Sequence, residues 1–170
     1  VRNADIVFHL AGTVNVDASI NDPVTTLDTN VLGTIKLLES VRKSGGKNHL
    51  IFCRSAAVYG VPMFERVTED HPFAPSNPYS ASKAAAEVLC QAYSKTYGVP
   101  TTILRPSTLY GPRQRTTQFI PSVISQCLAG DTIRLGSLNV YRDFSYVKDV
   151  VSALVFAGAT TKAVNQIFNI

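Results

Sequence analysis

The sequence predicts an α/β fold, a doubly wound parallel sheet with flanking helices. Three observations carry this. Continuous apolar runs of strand length, IVFHL at 6–10 and HLIFC at 49–53, read as strands buried on both faces. Longer stretches with helical spacing separate such runs, and two of them open on an Asx-Pro start, Asp22-Pro23 and Asn77-Pro78. The length of 170 residues, with 45% hydrophobic and 16% charged residues, is one domain's worth of globular chain. Strand–helix alternation on that scale builds a parallel sheet covered by helices.

The elements follow in order. The first strand occupies 6–10. The helix capped by Asp22 carries Leu27, Val31, Ile35 and Leu38 at helical spacing and ends at Gly45-Gly46. The strand at 49–53 comes next, then a loop rich in Pro over 60–76. The helix capped by Asn77 runs to about Tyr97, stopped by Gly98 and Pro100. TTIL at 101–104 is a β-branched strand. A helix over 119–129, a short strand over 131–135, a strand then a helix within 143–159, and a strand over 166–170 complete the chain. Sheets of this kind bind ligands at the carboxyl ends of their strands.

Composition narrows the function classes. No apolar run approaches the ~20 residues of a membrane span, and VRNADIVFHL has no signal-peptide order. The three cysteines, Cys53, Cys90 and Cys127, are odd in number and widely spaced, with no CxxC. A disulfide framework or metal site is not expected; reduced thiols and a cytoplasmic setting are. The net charge of +4 is scattered, and Arg113 with Arg115 does not form a nucleic-acid stripe. A mild attraction for anionic small molecules fits that charge as well as anything larger does, and neither nucleic acid nor a membrane is expected as a partner.

Chemistry concentrates at strand ends and at one helix start. Tyr79-Ser80-Ala81-Ser82-Lys83 is a YxxxK at the first turns of a helix, which puts Tyr79 and Lys83 on one face. They point away from the stripe Ala81, Ala85, Val88, Leu89 and Ala92, which can pack on the sheet or on a partner while the pair faces a cleft. A phenol is a poor base at its usual pKa of ~10. A neighbouring ammonium favours the phenolate, making the pair a proton shuttle for alcohol–ketone interconversion. With seven Tyr and seven Lys, about 0.3 such matches arise by chance, and a surface tyrosine beside a solvated lysine has the same letters. Context adds weight. Ser55 in SAAVYG follows the second strand, where a hydroxyl can donate to a substrate oxygen. Gly12 in HLAG follows the first and lets backbone approach a ligand.

Together ADIVFHLAG, DTNVLGTIKLLE, SAAVYG, NPYSASKAAAE, LRPSTLYGPRQ and RDFSYVKDV resemble the extended short-chain dehydrogenase/reductase family, in its nucleotide-sugar epimerase and dehydratase branch. The pieces stand in the family's order and spacing over nearly the whole chain. The resemblance implies a Rossmann-type sheet, NAD as cofactor and a nucleotide-diphosphate sugar as substrate. It makes Tyr79 the catalytic base, Lys83 its partner and a ligand of the nicotinamide ribose, and Ser55 the third member at the sugar's reacting oxygen. Leu10, Ala11 and Gly12 would line the cofactor. Thr29 stands where some members carry an asparagine beside the nicotinamide. Pro106 and Ser107 follow the strand that ends near it. Thr108 falls at a substrate position often occupied by asparagine. Arg142 would grip the substrate diphosphate, as a planar, always-charged fork suits; the alternative for Arg142 is an ion pair with Asp143 or Asp149. The helices starting at Pro23 and Pro78 would pair across a two-fold axis in a homodimer.

Within that branch, 4,6-dehydratases carry acidic residues where this chain has Ala56 and Ala57. The expected reaction is therefore NAD-dependent epimerisation at C4 through a 4-keto intermediate. Dehydratase, decarboxylase and 4-ketoreductase chemistry are the alternatives, and a non-catalytic binding or scaffold relative is the alternative of another class. The family's glycine-rich turn, GxxGxxG, is not formed by any of the ten glycines. The expectation is a chain truncated at both ends: residues 1–170 as the central part of the domain, with the glycine-rich unit and the C-terminal substrate lobe outside it, inactive alone.

Overall fold

The computed structural model describes residues 1–170 except 2, 62, 65, 131 and 138–141. The elements are β1 (Ile6–His9), α1 (Val16–Asn21), α2 (Pro23–Leu27), α3 (Gly33–Lys43), β2 (His49–Cys53), α4 (Pro78–Tyr97), β3 (Thr101–Arg105), β4 (Thr108–Tyr110), α5 (Phe119–Ala129), β5 (Phe144–Tyr146), α6 (Val147–Ala159) and β6 (Ile167–Asn169). Four strands form one parallel sheet in the order β1-β2-β3-β6, and β4 and β5 form a separate parallel pair.

Alternation along β2 sorts the core into two layers. Leu50 and Phe52 face α3 and α4 and pack with Leu38, Val41, Ala86, Cys90, Val99 and Ile103. Ile51 faces the other way and packs with Leu104, Val150, Leu154 and Ala157 under α6. A sheet covered on both faces explains why β2 reads as a nearly continuous apolar run, while β3 also buries Thr101, Thr102 and Arg105. All four strands point the same way, so their carboxyl ends share one edge.

Several expectations need correction. The first helical region is three pieces rather than one. A separate α1 precedes Asp22, and a turn of π-helix over Asp28–Leu32 separates α2 from α3, with the Gly33 N–H donating to the Asp28 carbonyl. The extra residue rotates the inward face. Thr26, Asn30, Thr34, Leu38 and Val41 are buried, whereas Leu27 is exposed and Val31 and Ile35 are half-buried. Residues 132–135 form no strand, and residue 131 lies outside the described residues. The strand that pairs with β5 is β4, whose single half-buried triplet has no apolar run to announce it. The stripe on α4 faces outward: Ala85, Val88 and Ala92 are exposed, and of the stripe's residues Leu89 packs on the core. The sheet side of α4 carries Tyr79, Ser82, Lys83, Ala86, Glu87 and Cys90. The sequence left that stripe free to pack on the sheet or on a partner, and the sheet is the side excluded.

Candidate active site

Local chemistry fixes the start of α4. Asn77 Oδ1 accepts from the Ser80 N–H at 2.9 Å, and Ser80 Oγ accepts from the Asn77 N–H at 3.2 Å, a capping box with Pro78 next to it. The Tyr79 N–H donates to Ser19 Oγ of α1 at 3.1 Å. With the first turn held from two sides, Tyr79 and Lys83 turn inward and are only 8% and 5% exposed.

Ser55 sits one residue past Arg54, at the exit of β2. Its backbone is extended, and its Oγ accepts from the Ala57 N–H at 3.2 Å, starting a short 3-10 turn over Ala56–Tyr59. The Pro106 carbonyl accepts from the Ala56 N–H at 2.9 Å, so the exits of β2 and β3 are tied together. The loop after β1 closes over the other side. A Cβ on Gly12 would lie 2.8 Å from Lys83 Nζ and 2.8 Å from Asn30 Oδ1, so only glycine fits without displacing one of them. Leu10 and Ala11 are exposed along the same edge.

Asn30, not the predicted Thr29, is the buried residue of the π-turn; Thr29 is exposed. Asn30 Oδ1 accepts from the Thr13 N–H at 2.9 Å. Its Nδ2 donates to the Thr13 carbonyl at 3.1 Å and to Ser82 Oγ at 2.8 Å. It thereby fastens the loop after β1 to α4.

Ser107 shares a hydrogen bond with Ser145 across 2.7 Å. Thr108 is exposed, and its N–H donates to the Asp143 carbonyl at 3.1 Å. Arg142, also exposed, therefore lies beside Thr108 at the start of the β4–β5 pair. Among the described residues it makes no ion pair, with Asp143, Asp149 or any other carboxylate. The structure thus gathers Ser55, Tyr79, Lys83 and Gly12 at the sheet edge and groups Thr108 with Arg142.

The electrostatics differ from the expectation for an ammonium acting alone. Burial raises the Tyr79 phenol above its ordinary value; the Ser55 hydroxyl and the Arg54 charge pull it down, and the Cys53 thiol pushes it up. Burial lowers Lys83, with a further push from Arg54. Lys83 Nζ lies 5.9 Å from the Phe52 ring centre, and among the described residues no carboxylate pairs with it. The pull of Arg54 on the phenol is smaller than the effects of burial and of Ser55.

Arg54 belongs to a cluster that sequence reading left out. Glu87, fully buried one turn beyond Lys83, pairs with both Arg54 and Arg105. Its Oε1 also accepts from Gln91 Nε2 at 3.0 Å. A charged residue four positions past Lys83, on the same inward face, was the available signal.

A parallel sheet with Ser, Tyr and Lys converging over its carboxyl edge defines a short-chain dehydrogenase/reductase fold. The model of the NAD dependent epimerase/dehydratase family matches residues 1–170, and the chain belongs to that family. It is 40% identical over 158 residues to a dTDP-glucose 4,6-dehydratase of Mycobacterium tuberculosis, covering 91% of this chain and 47% of that protein. It is 34% identical over 170 residues to a UDP-glucose 4-epimerase of Mycolicibacterium smegmatis, covering 98% and 54%. The solved UDP-glucuronic acid 4-epimerase of Bacillus cereus, in complex with UDP-glucuronic acid and NAD, superimposes with a TM-score of 0.86 at 32% identity, covering 98% of this chain and 53% of that one. The chain spans about half the length of the curated relatives it matches. Among the described residues no helix is long and apolar enough to cross a membrane.

Proposed function

We propose that the protein containing this chain epimerises a nucleotide-diphosphate sugar at C4, using NAD. The residues present fit the nicotinamide end of that cofactor. Gly12 offers bare backbone, Leu10 and Ala11 stand exposed beside it, and the Lys83 ammonium, unpaired among the described residues, lies beneath. Leu10, Ala11, Gly12, Thr29, Pro106 and Ser107 would line it, and Lys83 would hold the ribose. NAD held there would supply a hydride acceptor, and then a hydride donor, for C4 of the sugar.

The chain's own residues handle the proton. Tyr79, as phenolate, takes the C4 hydroxyl proton and later gives it back to the 4-keto oxygen. Ser55 donates to the same oxygen as charge develops there. Lys83 supports the phenolate and orients the ribose. Arg142, an exposed guanidinium free of any ion pair among the described residues, suits the substrate diphosphate, with Thr108 beside it.

The observation that carries epimerisation over dehydration is the pair Ala56 and Ala57 in the turn after Ser55. Removing water from C6 needs a base and an acid beside the sugar, and alanine is neither. Glu87 is committed to two guanidinium groups, and Glu69 accepts from the Asn169 N–H at 2.8 Å. The second reading is a 4,6-dehydratase, favoured by the 40% identical relative.

The exposed Ile20, Val24, Leu27, Leu32 and Val88 make an apolar face on α1, α2, the π-turn and α4. We place a homodimer contact there, between the helices that start at Pro23 and Pro78. Residues 1–170 are the central section of the parent domain, acting in the cytoplasm. The test is product analysis: full-length protein incubated with UDP-glucose and dTDP-glucose, followed by proton NMR. A C4 epimer with no net cofactor consumption supports the proposal. A 6-deoxy methyl signal assigns the dehydratase instead. Consumption of NAD(P)H in proportion to product assigns a ketoreductase. Absence of both turnover and bound NAD assigns a non-catalytic relative.

A further inference from the structure

Among the described residues, β4 and β5 pair with each other and with no strand of the main sheet. They carry Thr108 and, two residues before β5, Arg142. Ser55, Tyr79 and Lys83 stand on the carboxyl edge of the main sheet instead. The offset between the two groups is set by whatever fixes the small pair to the large sheet. Chain connectivity does part of this: Pro106 and Ser107 alone separate β3 from β4, and β5 runs straight into α6. Apolar packing does part: Leu109 packs on the core beneath α6, as Ile170 does. The remaining link is polar. Ser145, the middle residue of β5, shares a hydrogen bond with Ser107 across 2.7 Å and donates to the Ile170 carbonyl at 3.4 Å. That carbonyl also accepts from the Ser107 N–H at 2.8 Å, and the Ile170 N–H donates to the Arg105 carbonyl at 3.1 Å. The exits of β3 and β6 and the middle of β5 therefore meet at one pair of hydroxyls.

Packing alone gives no reason for a hydroxyl at 145. Ser145 lies opposite Leu109 in the register of the pair, and residues opposite each other on neighbouring strands share a face. Leu109 uses that face to pack on an apolar core. An apolar residue at 145 would extend the contact and withdraw no polar group from water. Apolar burial is non-directional, so it tolerates sliding. A hydrogen bond fixes both a separation and an angle. Ser107 and Ser145 are both half-buried, and each hydroxyl hangs on a single rotatable bond, so the link between them is short and stiff.

We propose that Ser145 is a positioning residue: its bond to Ser107 holds the β4–β5 pair, with Thr108 and Arg142, at a fixed offset from the edge that carries Ser55, Tyr79 and Lys83. The role rests on the proposed function, in which Arg142 and Thr108 grip the substrate and Tyr79 moves its proton. A sugar held by its diphosphate meets the phenol only at the offset that the hydroxyl pair sets. Without that bond both binding parts stay intact, and the reacting carbon between them is misplaced. A displacement of about 1 Å can cost about 10²-fold in rate. A loosened tether still visits the right position and costs less.

The test uses the full-length protein as wild type, Ser145→Ala and Ser145→Thr. Turnover is measured with UDP-glucose or dTDP-glucose, whichever the wild type converts, and binding of the matching nucleoside diphosphate by calorimetry. Bound NAD is read on the same samples, and hydrogen exchange is followed at the Ser107 and Thr108 amides. In Ser145→Ala, kcat falls about tenfold, whereas nucleoside diphosphate affinity and bound NAD stay as in the wild type. The two amides exchange about fivefold faster, as loss of one hydrogen bond implies. Ser145→Thr keeps the hydroxyl on a residue that strands favour and restores both kcat and exchange. Wild-type kcat or wild-type exchange in Ser145→Ala overturns the proposal, and so does a Ser145→Thr that behaves like Ser145→Ala. A fall in kcat together with lost nucleotide affinity and lost NAD, or a Ser145→Ala that does not fold, marks a merely structural residue and overturns it too. Exchange does not depend on turnover. Wild-type protein without activity would therefore sink the functional reading, and the amides would still decide whether Ser145 ties the pair to the sheet.

Discussion

His9 shows how one side chain's protonation is settled by its neighbours. The Thr34 hydroxyl donates to the Asn30 carbonyl at 2.6 Å, so it can only accept from His9 Nε2, 2.9 Å away. Nε2 of the ring, which is stacked on Phe52 at 5.2 Å, therefore carries a proton. Burial and the Lys83 charge lower its pKa from the ordinary value of 6.5. In the unfolded chain the imidazole takes up a proton as pH falls below that value, and the folded ring does so only at lower pH. Over this window the unfolded state binds more protons, so folding stability drops as pH falls through it. Urea midpoints of the full-length protein should fall from neutral pH towards about pH 5, and His9→Gln should flatten that decline. An unchanged decline in His9→Gln would show that another group titrates there. Tyr79, Lys83 and Ser55 were legible in the sequence because their spacing and strand-end position carry chemistry. Asn30 was not, since it fastens the loop after β1 to α4 through partners distant in sequence, and nothing in the letters DTNVL marks them.

Helix α4 joins the candidate site to the buried cluster. Its inward face alternates function and fastening: Tyr79 and Lys83 at the top, then Glu87 holding Arg54 and Arg105. Such a cluster adds little net stability, because desolvation offsets the attraction. Breaking it from the carboxylate side is different, since two guanidiniums would then sit buried without any counter-charge. Glu87→Gln should cost about 3–5 kcal/mol, read as a lowered denaturant midpoint with an unchanged slope. A loss below about 1 kcal/mol, the range of an exposed pair, would show that the cluster is hydrated rather than buried. Strand β2 was readable because burial on both faces makes it nearly all apolar, and β3 because Thr101, Thr102 and Ile103 are β-branched. The helix starts were readable because Asp22 and Asn77 cap them ahead of proline. Element α1, a six-residue helix with one buried residue, and β4, a three-residue strand, bury too little to impose a pattern. Which of the two, sheet or partner, the α4 stripe faces was not legible, because the inner face of that helix is rich in polar groups.

At the scale of the molecule, the sheet presents its carboxyl edge with Gly12, Ser55, Tyr79 and Lys83 gathered on it, and the helices leave an apolar face uncovered. Val88, 55% exposed, lies within that face and outside the candidate site. Val88→Asp should shift full-length protein from dimer to monomer in sedimentation without lowering its bound NAD; a variant that stays dimeric would move the contact elsewhere. The sequence's pattern of strands, helices and strand-end residues was enough to reach the family, which the match over residues 1–170 bears out. The choice between epimerase and dehydratase rests on the single turn at Ala56 and Ala57, and relatives of both kinds resemble the chain.

The proposed mechanism turns on the Tyr79 phenol, which transfers the proton of the sugar's C4 hydroxyl beside the nicotinamide. Comparing the steady-state C4 epimerisation rate of full-length wild type with that of Tyr79→Phe, with bound NAD and melting temperature determined on the same samples, tests that role. Turnover should fall about 10²–10⁴-fold with both other quantities unchanged. Wild-type turnover in Tyr79→Phe would assign the proton transfer to another group.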